Sequence, residues 1–145
     1  MKMRKITLLI VHCSAVGPKV QSSAADIDRW HRQRGWRGGI GYHYVVRRDG
    51  SVETGRKEEV VGAHCRLHNA HSIGICYEGG LDGNGHPADT RTPEQKEALH
   101  SLLSALREKY PGAIIVGHHD LDPMKECPCF DMSEYADLQP KVWKP

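Results

Sequence analysis

Ile6-Thr7-Leu8-Leu9-Ile10-Val11-His12-Cys13 is an unbroken apolar run that stops on a histidine and a cysteine. A β-branched and leucine stretch without alternation suits a strand buried on both faces, the kind found inside a parallel or mixed sheet. Outward from it, Tyr42–Arg48, Ser72–Glu78 and Ala113–Gly117 also read as strands, and Asp49-Gly50 is a hairpin turn into a partner strand over Ser51–Thr54. Ser23 caps a helix over Ala24–Arg34, with Ile27, Trp30 and His31 on one face and Gly35 just past its end. Thr92-Pro93-Glu94-Gln95 is a second helix start, with a threonine cap, proline in the first turn and Gln95 closing the capping box. Leu99, Leu102, Leu103 and Leu106 give that helix an apolar stripe to about Tyr110, where Pro111-Gly112 ends it. Trp36–Gly41, Lys57–His71, Gly79–Arg91 and residues 120–132 read as loops, and Ser133–Leu138 as a short helix. The expectation is an α/β fold: a central mixed β-sheet flanked by helices on both faces.

The 145 residues suit one domain over 1–145. Hydrophobic residues at 39% and charged residues at 26% match a soluble globular chain, and no apolar run reaches the ~18 residues of a membrane span. A net charge of +2 lacks the clustered positive excess that nucleic-acid binding requires. The basic Met1–Lys5 segment and the apolar Ile6–Val11 run are too short for a secretory leader, so synthesis is expected in the cytoplasm. The five cysteines lack disulfide-scaffold spacing and read as reduced thiols.

The unusual entries in the composition are the 10 histidines and 5 cysteines. Two strands end in histidine, at His12 and His118, and Cys127 lies on a loop able to fold back to the same sheet edge. Two imidazoles and a thiolate make a tetrahedral zinc site with one position open, the arrangement of a catalytic rather than a structural zinc. His64-Cys65-x-x-His68-x-x-His71 is a second histidine cluster; Gly62, Asn69 and the absence of an apolar period favour a loop lining a groove. Cys13 alternates away from His12 and reads as core, as do Cys76 and Trp30.

Several segments together carry a family resemblance: Val11-His12-Cys13-Ser14-Ala15, Trp30-His31-x-x-x-Gly35-Trp36, Gly41-Tyr42-His43-Tyr44, Arg48-Asp49-Gly50, Gly62-Ala63-His64, Ser72-Ile73-Gly74-Ile75, and His118-His119 … Lys125-x-Cys127-Pro128-x-Phe130-Asp131. In this order the chain, from about Ile10 to Asp131, resembles the type-2 N-acetylmuramoyl-L-alanine amidases, especially their small phage lysozyme form, and more distantly the peptidoglycan recognition proteins. The resemblance implies that His12, His118 and Cys127 bind Zn2+ and that Tyr42 and Lys125 are the catalytic side chains beside it. The segment between His118 and Cys127 is about one residue longer than in the phage lysozymes, which leaves His119 as a rival ligand. Cys129 rivals Cys127, with Pro128 favouring Cys127.

The implied reaction is hydrolysis of the amide between the lactyl group of N-acetylmuramic acid and L-alanine of the stem peptide in peptidoglycan or a muropeptide. Lys125 would place positive charge against the oxyanion, and Tyr42 would orient or deprotonate the water or hold the tetrahedral intermediate. Trp36, His64 and Asn69 are the expected substrate contacts, and Asp120, Asp122 and Asp131 are candidates for orienting the imidazoles. The resemblance also implies an endolysin-like or prophage setting, in which the protein reaches the wall after release or specialised export, and a monomer is expected. Three other readings remain: a recognition module without catalysis, a recycling amidase for soluble anhydro-muropeptides, and a closed four-ligand zinc or redox protein. Cys127, Tyr42 and Lys125 argue against the first, since loss of the cysteine marks the non-enzymes. A cysteine rather than an aspartate as third ligand argues against the second, and a site using both Cys127 and Cys129 would mark the third.

Overall fold

In the computed structural model, which describes residues 4–140, the opening apolar run forms strand β1, Leu8–Cys13. Helix α1 spans Ala24–Gln33, strands β2 and β3 span Tyr44–Val46 and Val52–Thr54, and β4 spans Ser72–Tyr77. Helix α2 covers Pro93–Lys109, β5 covers Ile114–Gly117, and a single-turn helix α3 follows at His118–Leu121. Short 3-10 turns occupy Asn69–His71 and Met132–Leu138.

The strands form one five-stranded sheet in the order β3-β2-β4-β1-β5, antiparallel between β2 and β3 and parallel elsewhere. Every residue of β4 is buried, and β1 is buried from Leu9 onward, as expected for central strands with both faces covered. Alternation then divides the core. Leu9, Val11, Ile73, Ile75 and Tyr77 face one side, where Leu99, Leu103 and Leu106 of α2 pack. Val45 and Cys76 face the other side, with Ile27 of α1, Ile40, and the partly buried Trp30 and Tyr42. Cys13 joins the first cluster and Cys76 the second, as the sequence predicts. Both long helices start with complete capping boxes, at Ser23 and Asp26 and at Thr92 and Gln95.

The elements depart from the sequence reading at their ends. The strand read over Tyr42–Arg48 shortens to Tyr44–Val46, leaving Tyr42 and His43 before the ladder. The segment read as loop after β5 begins with α3, because the Asp120 carboxylate accepts the Gly117 N–H at 2.8 Å and closes one helical turn. Among the described residues, no helix is long and apolar enough to cross a membrane.

Candidate metal centre and active-site cleft

Register brings the two strand-end histidines together. β1 and β5 run parallel with Val11 opposite Gly117, so His12 and His118 leave the same sheet edge side by side. Their ring centroids lie 4.7 Å apart. Cys127 returns to this edge on the loop after α3, held by the His119 N–H donating to the Cys127 carbonyl at 2.8 Å. One donor atom each from His12, His118 and Cys127 then lies within 4.8 Å of the others, and this is the one such group found among the described residues.

The surroundings suit a metal with nitrogen and sulfur ligands. The backbone N–H of Cys13 donates to Cys127 Sγ at 2.9 Å, which holds the sulfur at this edge. Burial lowers the His12 pKa well below its ordinary value, helped by His64 and His118; burial and the Lys125 charge lower that of His118. Neutral imidazoles and a thiolate are the ligating forms. The residues therefore fit a divalent ion such as zinc.

The rival ligands lie elsewhere. His119 and Cys129 line a separate depression with Glu126 and Phe130, and Cys129 Sγ sits 3.9 Å from Cys13 Sγ. The three aspartates bond backbone groups and make no hydrogen bond to His12 or His118: Asp120 accepts the Gly117 N–H at 2.8 Å and lies 3.6 Å from His119 Nε2, Asp122 accepts the Met124 N–H at 3.0 Å, and Asp131 accepts the Ser133 N–H at 2.9 Å. The side chain that does meet His12 is His64, whose Nδ1 lies 2.8 Å from His12 Nε2. His64 and His68 share no helix; His68 pairs with His71 at 3.1 Å.

A cleft with two arms opens over the cluster. Both arms share Trp36, Ala63, His64, His118 and Lys125. One continues past Arg66, Asn69 and Asp122, the other past Tyr42, Ser14 and Arg34 toward α1. The Tyr42 ring stands 5.1 Å from the His12 ring. Burial, with the Cys76, Cys127 and Cys13 thiols nearby, pushes its phenol pKa well above 10, so Tyr42 is a hydroxyl donor here. Lys125 is exposed at the mouth, and Trp36 lies on the rim, its ring 4.4 Å from that of His31. Asn69 lines the cleft too, but its side-chain oxygen accepts the N–H groups of His64 and Cys65, both at 2.9 Å.

His31 is the residue whose task sequence reasoning missed. It is buried, and its Nδ1 accepts the Gly41 N–H at 2.9 Å, anchoring the backbone immediately before Tyr42. The available signal was its place in the Trp30-His31-x-x-x-Gly35-Trp36 segment.

A two-histidine, one-cysteine cluster at a sheet edge, beneath an open cleft with a phenol and an ammonium at hand, has the make-up of a hydrolase centre. The N-acetylmuramoyl-L-alanine amidase family model (Amidase_2) matches residues 2–130, and the chain belongs to that family. The endolysin of Klebsiella phage KP32 is 41% identical over 134 residues, covering 92% of this chain and 87% of that protein. The N-acetylmuramoyl-L-alanine amidase LysC from Clostridium intestinale superposes with a TM-score of 0.80 at 33% identity, covering 93% of this chain and 86% of that one. A mutant of Drosophila PGRP-LB in complex with tracheal cytotoxin is similar with a TM-score of 0.75 at 25% identity, over 92% of this chain and 82% of that one.

Proposed function

We propose that this protein is a zinc-dependent lytic amidase that hydrolyses the amide joining the lactyl group of N-acetylmuramic acid to L-alanine of the peptidoglycan stem peptide. The observation that carries the reading is the gathering of His12, His118 and Cys127 donor atoms within 4.8 Å under a cleft that also holds Tyr42 and Lys125. Family membership and the endolysin relatives support the substrate class.

His12, His118 and Cys127 would hold the zinc, which when bound supplies Lewis-acid polarisation of the scissile carbonyl and a water of lowered pKa. Lys125 sets its ammonium where negative charge develops on the carbonyl oxygen. Tyr42 keeps its proton and donates it in a hydrogen bond, orienting water or holding the tetrahedral intermediate. Trp36 offers an exposed aromatic face at the rim to the sugar or peptide. His64 and Asn69 line the same cleft, and their polar groups also serve the protein itself.

Digestion of purified peptidoglycan, with products read by mass spectrometry, tests this reading. Release of free stem peptides beginning with L-alanine, stopped by a chelator and restored by zinc, is the expected result. Release of disaccharide fragments with the amide intact, or release indifferent to the chelator, would refute it.

A further inference from the structure

We infer that His64 is a positioning residue for His12: a Ser72–His64–His12 hydrogen-bond chain fixes the tautomer and orientation in which His12 presents Nδ1 to the metal. This rests on the reading of His12 as a metal ligand, and it gives His64 a task distinct from contacting substrate.

The geometry is that of a prepared slot. His12 is 1% exposed, and the His64 ring stands at 90° to it with centroids 4.9 Å apart. His64 Nδ1 lies 2.8 Å from His12 Nε2, and its Nε2 lies 3.3 Å from Ser72 Oγ. A Cβ at Gly62 or at Gly74 would come within 2.7 Å of the His64 ring, so the ring fits against the sheet because both positions are glycine. The two N–H groups donating to Asn69 Oδ1 fix the backbone at His64 and Cys65.

Proton order follows from these contacts. If Ser72 donated to His64 Nε2, His64 would carry its proton on Nδ1 and donate to His12 Nε2. His12 would then hold its own proton on Nδ1 and have no lone pair there for a metal. In the opposite direction His12 Nε2–H donates to His64 Nδ1, and His64 Nε2–H donates to Ser72 Oγ. This order frees the His12 Nδ1 lone pair, and it is the order that ligation selects. A partner on the second nitrogen of a metal-bound histidine fixes the ring and raises its basicity; here an imidazole fills the place a carboxylate or carbonyl usually takes.

The test compares the full chain with His64→Phe, His64→Gln and Ser72→Ala. Zinc affinity is measured by competition with a chromogenic chelator, the ligand field by the visible spectrum of the cobalt-loaded protein, and KM and kcat at saturating zinc. Phe keeps the ring volume and removes the acceptor, so zinc binding is expected to weaken about 10- to 100-fold, with a changed cobalt spectrum and KM near wild type. Gln restores an oxygen acceptor and is expected to recover most of the affinity. Ser72→Ala is expected to weaken zinc in the same direction by a smaller factor, and it carries the test if His64→Phe does not fold. Unchanged zinc affinity in His64→Phe and Ser72→Ala, with KM raised in His64→Phe, overturns the inference in favour of substrate contact. Absence of zinc binding in the wild type overturns it together with the metal reading, and shows before any variant is made.

Discussion

The hydroxyl of Tyr77 donates to the carbonyl of Pro128 at 2.6 Å, tying the last residue of β4 to the loop that carries Cys127. Tyr77 is fully buried, so removing its hydroxyl leaves the Pro128 carbonyl without that partner. Tyr77→Phe is expected to cost about 1–3 kcal/mol in urea unfolding. Metal retention should weaken as well, because the Cys127 loop loses its anchor. A variant with unchanged stability and unchanged metal affinity would show that the tether does neither.

Lys125→Ala should keep its metal and its fold. The side chain is exposed, and it joins neither an ion pair nor a side-chain hydrogen bond found among the described residues. Turnover should drop about 10²- to 10³-fold, as for loss of one oxyanion-stabilising group. Steady-state kinetics with metal analysis of the same sample checks this. Activity near wild type would make Lys125 a bystander charge.

His31 gives the fold a pH dependence. Burial, with Arg34 and Arg56 nearby, lowers its pKa from 6.5 to about 4. The unfolded chain therefore takes up this proton at higher pH than the folded one. Stability from neutral His31 is fully present above pH 6.5 and is lost as pH falls toward about 4. His31→Gln can still accept the Gly41 N–H and does not titrate, so its urea midpoint should fall less than wild type between those pH values. Parallel curves for the two proteins would contradict the assignment.

Arg91 should be a stability residue. Its side chain is 1% exposed and lies 3.4 Å over the Phe130 ring. It donates to Asp89 at 2.9 and 3.0 Å and to Glu134 twice at 2.8 Å. Arg91→Met keeps much of the volume and leaves two carboxylates unpaired, at an expected cost of about 3 kcal/mol, held down because both carboxylates keep partial access to water. Equilibrium urea unfolding measures it, and a loss below about 1 kcal/mol would place the pair among weak surface bridges.

The sheet was legible because β1, β4 and β5 are rich in apolar residues, and the histidines at the ends of β1 and β5 mark the edge where the proposed metal cluster gathers. The parallel register that sets Val11 opposite Gly117 is a long-range property, and no local pattern states it. Helix α3 escaped notice since one turn has no period to detect. Asp120, Asp122 and Asp131 looked like partners for the imidazoles, yet short carboxylates next to turns bond the nearest backbone N–H groups first. The place of His64 depends on Gly62 and Gly74, which are set around its ring only after the crossing loop folds onto the sheet.

The most direct test of the metal centre is zinc content, measured per chain alongside amide cleavage, in wild type, Cys127→Ala and Cys129→Ala. One zinc per chain and full activity are expected in wild type and in Cys129→Ala, with zinc and activity lost together in Cys127→Ala. Zinc retained with normal cleavage in Cys127→Ala, or zinc lost in Cys129→Ala alone, would contradict the assignment of Cys127 as the third ligand.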